Sequence, residues 1–171
     1  MMKFNTLHDL FISELKDLYS AEKQIVRALP KMAKAASSSE LQDAFQEHLQ
    51  QSKNHIDRLD EIFDMLQVSS RNKKCKGIEG IIEEGQELIS KGKTNSNPDA
   101  LDAGIVAAAQ KVEHYEIAGY GTVRTYASML GHDKAANLLQ QTLDEEKETD
   151  QKLTLLAETM INVEAAQPPN R

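Results

Sequence analysis

One helical pattern occurs twice in this chain, at a fixed offset of 94 residues. Leu7 maps onto Leu101, Phe11 onto Ile105, Leu18 onto Val112 and Glu22 onto Glu116. Ser37 then falls on Gly131, and Leu41, Phe45, Leu59 and Leu66 fall on Ala135, Leu139, Leu153 and Met160. Identity across the offset is low. What repeats is the placing of apolar residues along one face at helical spacing. Each copy therefore reads as two long amphipathic helices joined by a short turn, which makes them antiparallel neighbours.

Local signals mark where these helices begin and end. Thr6 and Asp9 form a start signal for the first helix, and Pro30 removes one of its internal hydrogen bonds and is expected to kink it near its end. Ser39 with Gln42 suits a capping box for the second helix. Residues 68–77 are polar and basic and read as a linker, followed by a short amphipathic helix over Ile78–Ile89 with Gly92 near its end. Asn97-Pro98-Asp99 opens the third long helix, Gly131 closes it, and the fourth starts near Asp133. Hairpin, long crossover, hairpin is the plan of a ferritin-like four-helix bundle, so the expected fold is all-α, with a crossover carrying a short extra helix. One domain is expected over residues 1–163, with 164–171, which hold Pro168 and Pro169, as a disordered tail.

Composition narrows the function. The chain has 171 residues with only 8 Gly, 4 Pro and 5% aromatics, which favours helix. A net charge of −7 with no compact basic patch argues against a nucleic-acid partner. No apolar run approaches the ~18 residues of a membrane span, and the first residues lack the apolar core of a secretory leader. The expectation is a cytoplasmic protein, and a lone cysteine, Cys75, fits a reducing compartment. Cys75 reads as an incidental linker thiol, whose pKa Lys73, Lys74 and Lys76 would lower if they lie close in space.

The chemistry lies in charges on apolar stripes. A helix rises about 1.5 Å per residue, so residues equally far from the turns share a level. Counting from the turns puts Glu22, Ser52, Glu116 and Glu146 at one level, with His48, Gln51, His55, Glu113, Thr149 and Asp150 about one turn away. Acids meeting at one level repel one another unless a cation intervenes. A metal pair in such a bundle takes a Glu from each of two helices and Glu-x-x-His from each of the other two. Glu22 and Glu116 supply the first half, and read as bridging candidates. At the second half this chain has Ser52 with His55 and Glu146 with Thr149. His48 or Gln51, Asp150 and Glu113 are substitutes within reach. The candidate ligands are thus Glu22, His48, Gln51, His55, Glu113, Glu116, Glu146 and Asp150. Carboxylates with a few imidazoles suit iron first, then manganese or another divalent ion. For His48 and His55 a buried neutral histidine is the plain alternative. Glu14 lies too far from the common level and reads as solvated, and His114 points off the stripe. Tyr19, Tyr115 and Tyr120 read as packing residues with a wet hydroxyl, or as neighbours of the ligands.

Three strings, DLYSAEKQIVRAL (Asp17–Leu29), KVEHYEIAGYGT (Lys111–Thr122) and TLDEEKETDQKL (Thr142–Leu153), resemble the YciE/YciF-type bacterial stress-protein family, a ferritin-like group. The resemblance reaches from the N-terminus to about Ala157. It implies a four-helix ferritin-like fold, a homodimer, a bound metal pair related to that of rubrerythrins, and expression under stress. Carried over residue by residue, the family's acidic positions are Glu22, Glu113, Glu116, Glu146 and Asp150, with His48 on the second helix. Ser52 and Thr149 depart from the rubrerythrin pattern. The leading expectation is a di-metal stress protein in which iron meets a small oxidant, peroxide or dioxygen. The chief rival is a non-enzymatic dimeric helical scaffold with a vestigial metal site. A storage cage and a phosphotransfer bundle acting through His114 are more distant alternatives.

Overall fold

The computed structural model of the protein describes residues 5–71, 73–92 and 97–167. The described chain is helical: α1 (Leu7–Ala35), α2 (Ser39–Leu66), α3 (Lys76–Gly92), α4 (Pro98–Met129), α5 (Asp133–Leu156), a π-helical turn (Ala157–Ile161) and α6 (Asn162–Ala165). α1 opens on a capping box. The Thr6 hydroxyl accepts from the Asp9 N–H at 3.1 Å, and the Asp9 carboxylate accepts from the Thr6 N–H at 3.1 Å. At the next cap the expectation moves by one residue. Ser38, not Ser39, caps α2, accepting from the Leu41 N–H at 3.2 Å. Gln42 instead donates to the Ala36 carbonyl at 2.8 Å. The cause is tertiary: the buried Asp102 carboxylate of α4 accepts from the Ser37 N–H at 2.8 Å and the Ser38 N–H at 2.7 Å. α3 extends beyond the expected Ile78–Ile89 at both ends. Asn97 caps α4 with Pro98 in its first turn, and Gly131 closes it with φ at 77°. The last helical turn reaches Ala165, into the stretch expected as a tail, whose residues from 168 lie outside those described.

α1 pairs with α2 and α4 with α5, and the hairpins pack α1 on α4 and α2 on α5. The start of α4 meets the end of α1 through Asp102, so these two helices run antiparallel. α3 lies along α1 and α4 as part of the crossover. This is the expected bundle of two helical hairpins. Close approach of α1 and α4 near the centre depends on Gly119, where a Cβ would stand 2.7 Å from Leu18 Cδ2. No helix among the described residues is long and apolar enough to cross a membrane.

The interior divides in two. One apolar cluster holds Ile25, Leu29, Leu41, Phe45, Ile105 and Leu153. The other holds Phe11, Leu15, Leu59, Ile62, Val123 and Leu139. Between them lies a layer of fully buried polar side chains, Glu22, Ser52, His55, Glu113, Glu116 and Glu146, with His48 at 2% exposure. Beyond this layer α5 and the π-helical turn after it bury Leu153, Ala157 and Ile161 at every fourth residue. An α-helix turns ~100° per residue, so steps of four drift off the buried face. The wider π turn at Ala157–Ile161 recovers that drift, which brings Ile161 to the core in place of the expected Met160.

Candidate metal centre

Four helices each deliver a side chain to the buried layer. α1 supplies Glu22; α2 supplies His48, Ser52 and His55, spaced four and three apart on one face; α4 supplies Glu113 and Glu116; α5 supplies Glu146. His48 Nδ1 lies 3.0 Å from Glu113 Oε1, and its Nε2 lies 3.6 Å from Glu146 Oε2. His55 Nδ1 stands 3.0 Å from both Glu22 Oε1 and Glu146 Oε1. Only its contact with Glu22 is aligned as a hydrogen bond. Both oxygens of Glu113, Glu116 and Glu146, together with Glu22 Oε2, His48 Nε2 and Ser52 Oγ, are buried with no hydrogen-bond partner in the protein.

The electrostatics follow from this crowding. Burial lifts Glu113 to about 8, with the charges of Glu22 and Asp150 adding to it. Burial lifts Glu146 to about 8 against the pull of the His55 ring beside it. Glu116 rises well above the ordinary carboxylate value through burial and then the charges of Glu146, Glu22 and Glu113. Burial presses His48 down. It presses His55 down too, but the Glu22 charge and the close carboxylates of Glu145, Glu146 and Glu22 outweigh it and hold His55 at about 12.

Ionised carboxylates buried without donors cost several kcal/mol each unless a cation takes them up. Oxygen donors with two imidazoles are the set that hard-to-intermediate divalent ions accept. Among the described residues two groups offer ligand atoms within 4.8 Å of one another: His48, Glu113, Glu116 and Glu146, and Glu22, His55 and Glu146. The residues present thus fit a metal ion, and Glu146 belongs to both groups. Glu22 and Glu116, expected to bridge, each belong to one of these groups.

Other side chains set the pose of these donors. The Tyr120 hydroxyl donates to Glu22 Oε1 at 2.5 Å from a fully buried position. His55 Nε2 meets Glu145 Oε2 at 2.8 Å. Arg58 grips the same carboxylate with two hydrogen bonds of 2.7 Å and donates to Thr142 Oγ1 at 3.1 Å. Burial would raise Glu145, but His55 and Arg58 override it and hold it at about 2. With Nε2–H donated to Glu145, Nδ1 is the atom that faces the centre, and it would take a metal once its own proton is displaced, the arrangement that orients metal-binding histidines. Glu145 and Arg58 escape the sequence reading. Their only signal is that Arg58 follows His55 by three residues and Glu145 precedes Glu146.

Six of the eight candidate ligands come together. Gln51 and Asp150 do not join them. Gln51 Oε1 accepts from Thr149 Oγ1 at 3.2 Å. Asp150 accepts from Gln110 Nε2 at 3.1 Å and stands 3.3 Å from His114 Nε2. Both residues sit one position off the buried face of their helices, which is taken by Ser52 and Thr149. His114 is 70% exposed in its side chain, and Glu14 pairs with Lys73 at 3.5 Å at the surface. Cys75 departs from the linker reading. It is fully buried, its Sγ is 3.1 Å from Tyr115 Oη, and Tyr115 donates to Asp17 at 2.7 Å. Burial raises its thiol, the reverse of the lowering expected from the neighbouring lysines.

Fold and buried layer together define a ferritin-like helical bundle with an acid-and-histidine core. The chain belongs to the family described as a domain of unknown function (DUF892), which matches residues 6–166. It is 47% identical to the protein YciF of Escherichia coli K12 over 165 residues, covering 96% of this chain and 98% of that one. The crystal structure of the E. coli stress protein YciF superposes with a TM-score of 0.87, covering 92% of this chain and 98% of that one. YcfI of Rhodopseudomonas palustris, called a candidate structural protein, is 40% identical with a TM-score of 0.83 over 89% of this chain and 95% of that one.

Proposed function

We propose that this chain is a cytoplasmic, homodimeric stress protein that holds a pair of metal ions between its four long helices, iron first and manganese or another divalent ion otherwise. The observation that carries the reading is the set of buried carboxylate oxygens of Glu113, Glu116 and Glu146 that no protein donor satisfies. One ion would be held by His48, Glu113, Glu116 and Glu146, the other by Glu22, His55 and Glu146. An iron pair, when bound, supplies electrons to a small oxidant such as peroxide or dioxygen. The chain's own residues do the rest. Glu145, gripped by Arg58, fixes the ring of His55, and Tyr120 fixes one oxygen of Glu22. The two apolar clusters keep bulk water from the layer between them. The stress role is supported by the E. coli relative, which is called a stress protein.

The test is metal content after anaerobic Fe(II) loading, with anomalous scattering at the iron and manganese edges. About two ions per chain in wild type, lost in E116Q/E146Q, is the expected result. Wild-type protein that takes up no metal sinks the proposal. Sedimentation of the loaded chain checks the dimer.

A second reading is favoured by Ser52 and Thr149, which stand where the Glu-x-x-His pattern needs an acid and an imidazole. Under it the chain is a dimeric helical scaffold and the polar layer a vestige. E116Q/E146Q would then leave every solution property of the wild type in place except a stability equal to or above its own.

A further inference from the structure

The outer face of α1 carries a second feature unrelated to the buried layer. Tyr19, Lys23 and Arg27 are spaced four apart, so they project from one face while Glu22 turns inward. Across from them runs the segment after α2, with Ser70, Arg71, Lys73 and Lys74. The two walls enclose a cleft of about 720 Å³, within the range of small-ligand sites. In a chain of net charge −7, five cations line it, and Glu79 is the one acid in its lining.

The walls are bolted together. The Cys75 N–H donates to Ser20 Oγ at 3.0 Å, and Gln24 Nε2 donates to the Cys75 carbonyl at 3.0 Å. Lys73 Nζ donates to the Ser13 carbonyl at 2.9 Å and pairs with Asp17 at 3.4 Å. Lys74 pairs with Glu79. Lys23 lies 4.7 Å above the ring of Tyr19, which is itself braced edge-on against Phe63. That leaves Lys23, Arg27 and Arg71 with no acidic partner within salt-bridge distance among the described residues. Three like charges facing one concave site favour the arrival of an anion. Two guanidinium forks are the groups suited to bind phosphate oxygens in pairs.

We propose that this cleft binds a small oligophosphate-bearing anion, held by Lys23, Arg27 and Arg71 over the Tyr19 ring. Its concavity fits a compact anion, and it lies on the side of α1 turned away from Glu22, so the inference does not rest on the metal reading. The probe is inorganic triphosphate, titrated calorimetrically into the full chain at near-physiological salt. Metal content is measured before and after, so that chelation registers separately. Saturable binding is expected, weakened about tenfold or more in R27A/R71A and unchanged in K134A, a lysine outside the cleft lining. No saturable heat, or equal affinity in R27A/R71A, overturns it. Flotation with phosphatidylglycerol vesicles separates the two sources of such phosphate: vesicle binding without triphosphate binding also overturns the proposal.

Discussion

Glu145 and Glu146 are neighbours in sequence that do different work at His55. Glu146 approaches Nδ1 inside the layer, and Glu145, 29% exposed in its side chain, takes Nε2 from the outside. Removing such an outer partner commonly weakens metal affinity by about 10- to 100-fold. E145A should show that loss in a chelator competition assay while its circular dichroism stays that of wild type. Glu116 makes a complementary case. Both its oxygens are buried without a partner among the described residues and burial keeps it protonated, so this unpaired carboxyl opposes folding of the metal-free chain. E116L should raise the metal-free chain's stability to urea by about 1–4 kcal/mol and abolish loading of the first ion. Five of the six residues that converge, Glu22, His48, His55, Glu116 and Glu146, were legible because each falls on a helical stripe, and Glu113 because it lies one turn before Glu116. Gln51 and Asp150 sit one residue off it. Counting levels cannot separate them from Ser52 and Thr149, since one residue is a rise of only ~1.5 Å. The Arg58–Glu145 grip was not legible, because its partners are 87 residues apart and neither lies on a stripe.

At the scale of elements, the long helices were readable from sequence because the apolar pattern runs unbroken through each. Their joints were not, where a distant group intervenes. Asp102 reaches the turn between α1 and α2 from 65 residues away and takes the N–H groups of Ser37 and Ser38. Losing these part-buried hydrogen bonds to a charged acceptor costs about 1–3 kcal/mol, which D102A should show as a lower urea midpoint with an unchanged slope. The cap offers a sharper contrast. S38A should lose about 1 kcal/mol and S39A close to nothing, the reverse of what the capping-box pattern in the sequence implies. The π turn was likewise invisible, because it answers a drift that only the packed bundle reveals.

For the whole molecule, the buried acids set a pH dependence. Burial holds Glu113 and Glu146 at about 8 and raises Glu116 well beyond the ordinary carboxylate value, all above their unfolded values. Between the ordinary carboxylate range and about 8, the folded metal-free chain therefore binds more protons than the unfolded one. Its stability is greatest on the acid side of that window and falls as pH climbs to about 8. His55 acts in the same direction, since its contribution is full below the usual imidazole value and declines toward about 12. Glu145 acts the other way: its contribution is full above the ordinary carboxylate range and is lost as pH falls through about 2. Urea midpoints of the metal-free chain should be lower at about pH 8 than at about pH 5. Metal affinity should move the opposite way, because ions displace protons from these ligands.

Each apolar cluster draws on all four long helices, and so does the polar layer between them. Neither hairpin alone closes an interior, and each exposes a half-filled face fitted to the other. A chain nicked in the crossover should yield two fragments that are unfolded apart and reconstitute one to one when mixed.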